Sequence, residues 1–290
     1  MDSVQWSEHP RLRRPLAVVA FEGWNDAGDA ASLAVSYLAQ TWDAEEFATI
    51  DPEEFFDFTE TRPQVKIVDG ATRALEWPTT DLLYAEVPGT VRDVVFVRGV
   101  EPQLRWRTFC ASIVDTLKEV GVETVVILGA LLADVPHTRP VRVSGSSEDH
   151  ELAGRLGVLS NTYEGPTGII GVLHDALQSA GLSTVSFWAA VPHYVHQVPS
   201  PKAALALIER SAGVLGARVN PLELRVAAEE YERQVSERVA DDEDAAAYVA
   251  QLEEADDSDR LDESPPPLPA DAGALAEEVE QFLRNHGDED

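Results

Sequence analysis

The sequence contains very little cysteine. Among its 290 residues Cys110 is the single cysteine, which excludes an intramolecular disulfide and a thiolate-rich structural zinc site. Cys110 lies among apolar residues at helical spacing, without a flanking histidine or lysine. We therefore expect a buried core thiol rather than an activated nucleophile.

Long hydrophobic runs are also missing. No segment approaches the ~20 apolar residues of a membrane span. The apolar stretch near the N-terminus is too short for a signal peptide and stops at Glu22. These features predict a cytoplasmic protein that makes no membrane contact.

Positive charge is scarce. The chain has 22 lysine and arginine residues against 52 aspartate and glutamate residues, a net charge of −30 with a pI near 4.4. Residues 241–290 alone carry −16 of this charge. Such a surface repels phosphate backbones and anionic lipids, so we expect no nucleic-acid partner and no membrane partner.

Apolar β-branched runs alternate with helical patterns through the first 216 residues. Residues 16–21 (LAVVAF) and 124–132 (TVVILGALL) are typical of buried strands, whereas 47–87 is typical of short antiparallel strands. Strands that alternate with helices predict an α/β fold with a mainly parallel sheet flanked by helices. Ligand sites in such sheets lie at the carboxyl ends of the strands.

Composition divides the chain into four parts. We predict an α/β core domain at 1–216 and an acidic, all-helical C-terminal extension that begins with 217–254. A linker rich in proline and acid, at 255–272, and a terminal amphipathic helix with an acidic tail, at 273–290, follow. An amphipathic face needs a partner, either its own core or another protein.

The turn after the first strand, FEGWNDAGD, has the glycines of a phosphate cradle but no lysine or arginine. Glu22, Asp26 and Asp29 would repel a phosphate at a cost of about 1 to 4 kcal/mol each. We expect Asn25 or Asp26 to cap the helix that follows, and a polar or cationic ligand site is the alternative.

Polar residues follow two other predicted elements. Glu101 and Arg105 (EPQLRWRTF) are placed to form an ion pair at the edge of the sheet. In YEGPTGIIG, Thr167 is the expected N-cap of a helix, and Glu164 lies beside it; free N–H groups at such a helix start are a signal of an anion site.

The segment LLADVPHTRPVRVSGSS holds the residues that look most like catalytic groups. Asp134 could orient His137 as a base, and Arg139 could stabilise an oxyanion or bind a carboxylate. No G-x-S-x-G nucleophile elbow is present, and hydrogen bonding of the loop to its own backbone is the alternative. His193 and His196 lack a third ligand at matching spacing, so no metal and no cofactor are expected.

Six stretches together resemble the proteasome assembly chaperone 2 family in its actinobacterial form. They are FEGWNDAGDAAS, EPQLRWRTF, LGALLADVPHTRPVRVSGSS, YEGPTGIIGVLHDAL, WAAVPHYV and PKAALAL. The resemblance implies a fold related to nucleoside phosphorylases and peptidyl hydrolases, without an established catalytic activity. It also implies a role in building or regulating proteasomes.

Three functions are compatible with these observations. The first is a non-enzymatic adaptor resembling a proteasome assembly chaperone, which forms homo-oligomers and contacts proteasome subunits or a related complex. The second is a hydrolase or transferase of the nucleoside-phosphorylase-like fold. The third is a regulatory module that binds a small molecule in the same cleft without turnover.

Overall fold

The computed structural model describes residues 3–68, 72–87 and 89–262. Within these ranges the chain forms ten strands: β1 (Val4–Trp6), β2 (Leu16–Glu22), β3 (Glu45–Ile50), β4 (Gln64–Val68), β5 (Thr72–Glu76), β6 (Thr80–Glu86), β7 (Asp93–Val100), β8 (Thr124–Ala133), β9 (Val143–Ser146) and β10 (Ser183–Pro192). The same ranges contain seven α-helices: α1 (Ala30–Thr41), α2 (Trp106–Glu119), α3 (His150–Leu156), α4 (Ile169–Ser179), α5 (Pro201–Leu215), α6 (Leu222–Ala240) and α7 (Glu243–Asp262).

Eight of these strands form one sheet in the order β1-β3-β6-β7-β2-β8-β10-β9. The central strands β7, β2, β8 and β10 are parallel, and the outer pairings are antiparallel. The predicted α/β fold is confirmed, but the sheet is mixed rather than mainly parallel. Parallel pairing stops where the segment 47–87 returns as short antiparallel strands on one side and β9 returns on the other. The strands β4 and β5 form a separate hairpin.

Helices cover both faces of the sheet, which is why the central strands are apolar on both sides. Successive residues of a strand point to opposite faces, so Val18 packs towards α1 and α5 while Val19 packs towards α2 and α4. Cys110 of α2 lies fully buried between the sheet and the helices α2 and α4, as predicted. Burial raises the pKa of its thiol to about 12.

The C-terminal helices α6 and α7 follow α5. Helix α5 ends at Gly216, whose left-handed backbone (φ 65°) closes the last turn. Helix α6 then packs along α5 and buries Leu224 in the same core layer. Helix α7 continues to Asp262, past the boundary predicted at 254, because its sequence holds no proline before that point. The rest of the predicted linker and the predicted helix within 273–290 lie outside the described residues.

No helix within 3–68, 72–87 or 89–262 combines the length and apolar content that a bilayer crossing requires.

Candidate functional site

The turn after β2 closes over the N-terminus of α1. The buried Asp26 carboxylate accepts hydrogen bonds from the backbone N–H groups of Ala31 (2.6 Å) and Ser32 (3.3 Å). Because the first N–H groups of a helix have no partner inside it, this carboxylate takes the place of an external anion. Asp26 thus caps α1 through its side chain, although the N-cap residue itself is Asp29 rather than the predicted Asn25 or Asp26.

Further carboxylates crowd the same turn. Burial raises the pKa of Asp26 to about 6, although its hydrogen bonds to Ser32 and Ala31 act in the opposite direction. Burial also raises the pKa of Glu22, and the like charge of Asp29 adds to this effect. Asp29 is exposed, has a left-handed backbone (φ 48°) immediately before α1, and makes no side-chain capping bond. A phosphate at this turn would meet negative charge.

A second carboxylate closes the N-terminus of α4. Glu101 follows β7, and its Oε1 accepts hydrogen bonds from the Ile169 N–H (2.7 Å) and from Nδ2 of Asn25 (3.2 Å). Gly168 is the N-cap residue, and a Cβ there would lie 2.3 Å from Asn25 Nδ2 and 2.7 Å from Glu101 Oε1. The predicted N-cap role of Thr167 is wrong, because α4 starts one residue later and its cap comes from Glu101.

The predicted ion pair between Glu101 and Arg105 does not form. Arg105 precedes α2 with a left-handed backbone (φ 52°), and its Nη1 lies 2.8 Å from Oε2 of Glu54. Glu101 is held by Ile169 and Asn25, which leaves Arg105 to an exposed partner. An exposed pair of this kind contributes ~1 kcal/mol or less to stability.

His137, the predicted base, is buried with both ring nitrogens engaged. Its backbone N–H donates to the Tyr194 hydroxyl oxygen (2.8 Å), and His137 Nδ1 shares a second hydrogen bond with the same hydroxyl (2.8 Å). The Nε2 atom shares a hydrogen bond with Ser236 Oγ of α6 (3.0 Å). Burial and the nearby Lys202 lower the pKa of His137 and favour its neutral form. This geometry makes His137 a structural link between the loop that joins β8 to β9 and helix α6.

Asp134 does not orient His137. Its Oδ1 lies 3.2 Å from Nδ1 of His193, so the predicted pair between Asp134 and His137 is wrong. Glu164 is exposed in the loop before α4. The structure thus brings Asn25, Asp26 and Glu101 to two neighbouring helix ends, but it does not gather the other candidates around an open cleft.

Arg139 binds carboxylates of its own chain. Its Nε and Nη2 donate to the two carboxylate oxygens of Asp257, each at 2.9 Å, and Nη1 lies 3.5 Å from Glu253. The neighbouring Thr138 hydroxyl also donates to Glu253. Sequence reasoning missed these partners, because α7 lies more than a hundred residues away and its acidic pattern does not indicate which cation it meets.

Little space remains beneath these helices. The cavity between His137, Lys202 and Tyr231 measures about 10 Å³, roughly the room that one water molecule needs. Among the described side chains, no group of three histidine, cysteine, aspartate or glutamate residues is placed to hold a metal ion.

Large apolar side chains are exposed at the carboxyl ends of all four parallel strands. They are Trp24 after β2, Leu104 after β7, Leu131 and Leu132 in β8, and Val198 after β10. Trp24 is 68% exposed. Contiguous apolar patches on a protein surface mark contact sites for other molecules, and these strand ends are the candidate positions for such a patch.

Comparison with known proteins gives a consistent result. A sequence model described as the PAC2 family matches residues 20–239. Two crystal structures are each 49% identical and cover 81% of this chain and 99% of their own: a PAC2 family protein from Streptomyces avermitilis MA (TM-score 0.76) and the Mycobacterium tuberculosis proteasome-assembly chaperone homologue Rv2125 (TM-score 0.74).

A more distant structure shares the fold alone. Pyrococcus furiosus PbaB, an archaeal proteasome activator, is 19% identical with a TM-score of 0.65 and covers 82% of this chain and 99% of its own. None of the curated proteins compared with the chain matches it. The match of the family model over most of the sequence, together with the two structures at 49% identity, shows that the chain belongs to the PAC2 family.

Proposed function

We propose that the protein is a non-enzymatic adaptor, similar to a proteasome assembly chaperone, that acts through protein contacts in the cytoplasm. Proteasome subunits or a related complex are the proposed partners. The observation that carries the proposal is the carboxyl edge of the sheet. There the chain's own carboxylates cap the helix ends, and large apolar side chains face outward.

The capped helix ends argue against a phosphate-using enzyme at this edge. A phosphate bound at α1 or α4 would have to displace Asp26 or Glu101 from the N–H groups that they hold. Each displaced carboxylate would remain beside the incoming anion, and Asp26 would remain buried there. The candidate acid and base groups Asp134, His137 and Arg139 each have a separate partner. No specific observation on the described residues favours the two alternatives, a hydrolase or transferase and a module that binds a small molecule.

The exposed apolar edge supports protein contacts instead. Burying a leucine or tryptophan side chain at an interface stabilises it by about 1.5 to 3 kcal/mol. The same surface is available for homo-oligomers, which form part of the proposal.

Affinity purification from the native host tests the proposal with one pair of matched variants. Leu132→Ser alters the apolar edge, whereas Leu222→Ser alters an exposed leucine at the start of α6. We expect proteasome subunits to accompany the wild-type chain and the Leu222→Ser control, and to fall by about tenfold with Leu132→Ser, since one buried leucine is worth more than 1.4 kcal/mol.

Two results would contradict the proposal in different ways. If no proteasome subunit accompanies the wild-type chain, the partner is wrong. If the two variants recover subunits equally, the surface is wrong. Light scattering on the same samples measures the oligomeric state, and a monomeric wild-type chain would remove the homo-oligomer from the proposal.

A further inference from the structure

Three cations at the carboxyl edge are held by carboxylates of the C-terminal helices. We call Arg139, Arg142 and Lys202 the basic face. Arg139 pairs with Glu253 and Asp257 of α7, and Arg142 pairs with Asp256 of α7 at 2.7 Å. Lys202 pairs with Glu232 of α6.

The two helices are attached differently. Helix α6 buries Leu224, Ala228, Tyr231 and Val235 along one side. Helix α7 buries the apolar Val249 and Leu252. Its Tyr248 contacts the aromatic rings of His193 and Tyr194, which follow β10. The C-terminal part of α7 therefore rests on the basic face mainly through charge, and its ion pairs with Arg139 are partly exposed.

The pattern of carboxylates on α7 shows what the basic face binds. Glu253, Asp256 and Asp257 occupy positions i, i+3 and i+4, which lie on one side of a helix. Asp257 meets the Arg139 guanidinium with two parallel hydrogen bonds, the arrangement that best matches arginine to a carboxylate. Asp256 is 4% exposed beneath the same segment. The site is thus fitted to a row of carboxylates on a helix.

We propose that the basic face is a docking site for an acidic helix of a partner protein, and that α7 occupies this site in the free chain. The partner helix presents carboxylates at spacings of three and four residues and replaces the C-terminal part of α7. This inference rests on the proposed adaptor function, because it names the chemistry of one partner segment. The ion pairs of Arg139 are partly exposed and therefore exchangeable, since water and salt compensate for their loss. The pair of Arg142 with the buried Asp256 is the costlier one to break.

Peptide binding to the full chain tests the inference. The probe is a fluorescently labelled peptide of residues 243–262, followed by anisotropy. The variant Glu253→Gln/Asp257→Asn weakens the internal contact, and Asp244→Asn/Glu254→Gln removes the same charge from exposed positions of α7. Because an internal competitor reduces apparent affinity by the fraction of sites that it occupies, we expect the first variant to bind about tenfold more tightly than the control and the wild type.

Further binding measurements identify the site and the class of ligand. Adding Arg139→Gln to the first variant should weaken binding about tenfold, and raising salt from about 50 mM to about 500 mM should weaken it as well. A single-stranded DNA of matched length should bind more weakly than the peptide, because the rest of the surface is acidic.

Several results would overturn the inference. They are an absence of peptide binding to the first variant, equal binding to the control, no effect of Arg139→Gln, or tighter binding of DNA. Circular dichroism verifies that each variant is folded. If the double variant melts, Asp257→Asn alone replaces it, since that side chain is 55% exposed. The assay contains no host protein, so its failure is distinguishable from failure of the affinity purification.

Discussion

In two regions at the carboxyl edge, the chain's own carboxylates bind hydrogen-bond donors. In one region the donors are backbone N–H groups, and in the other they belong to an arginine side chain. At α1 and α4, the buried Asp26 and the partly buried Glu101 hold backbone N–H groups of the helix ends. At the basic face, Asp257 holds Arg139 where both side chains are partly exposed. Removing Asp26 or Glu101 is costly because it leaves helix N–H groups without a partner, whereas solvent can replace the exposed pair of Arg139 and Asp257.

The largest expected effect is at the α4 cap. Glu101→Ala leaves the Ile169 N–H and the Asn25 amide without their partner, so we expect a loss of about 3 kcal/mol in the free energy of unfolding. Urea denaturation followed by fluorescence measures it. Glu54→Ala, which removes only the exposed partner of Arg105, is the control and should cost ~0.5 kcal/mol. Equal losses in the two variants would remove the distinction between the two regions.

The α1 cap should be visible in the pH dependence of stability. The pKa of Asp26 in the folded chain is raised to about 6, so its proton favours folding below about pH 4 and this stabilisation is lost as the pH rises through about 6. Asp26→Asn keeps an acceptor oxygen but cannot ionise. Relative to the wild type, the variant should gain about 2 kcal/mol of stability between pH 4 and pH 7.

Urea titrations at several pH values give this difference. Asp29→Asn removes an exposed carboxylate three residues away at a position with a left-handed backbone, which asparagine also tolerates. If both variants change with pH in the same way, or if Asp26→Asn loses stability as the pH rises, the buried cap is not the source.

The smallest expected effect is at the basic face. Asp257→Asn breaks an exposed ion pair and should change the free energy of unfolding by less than about 1 kcal/mol. Amide hydrogen exchange should nevertheless become faster within α7, while exchange in α6 stays unchanged, since only α7 loses a contact. A loss of unfolding free energy close to that of Glu101→Ala would show that α7 is held as firmly as the capped ends of α1 and α4.

Local patterns in the sequence predicted local structure well. The apolar runs of β2 and β8 and the buried Cys110 follow from periodicity, and the cap at Asp26 follows from a polar residue before an alanine-rich helix. These features depend on neighbours along the chain.

Partners that are distant in sequence were not predictable in the same way. The sequence predicts a pair of Glu101 with Arg105, four residues away, whereas Glu101 binds the N-terminus of α4, 68 residues away. The sequence also indicates that Arg139 binds a carboxylate, but it does not indicate the partner on α7. Charged residues carry no periodic signal of which opposite group they meet, because that choice depends on how the layers pack.

The position of β2 in the sheet has a consequence for how the protein is made. This early strand lies between β7 and β8, which end at Val100 and Ala133. During synthesis on the ribosome, β2 emerges long before either neighbouring strand. Until they emerge, its apolar residues lack the strands against which they pack. Contacts between such distant segments slow folding and leave the nascent chain open to aggregation, so the centre of this sheet is a late event in translation.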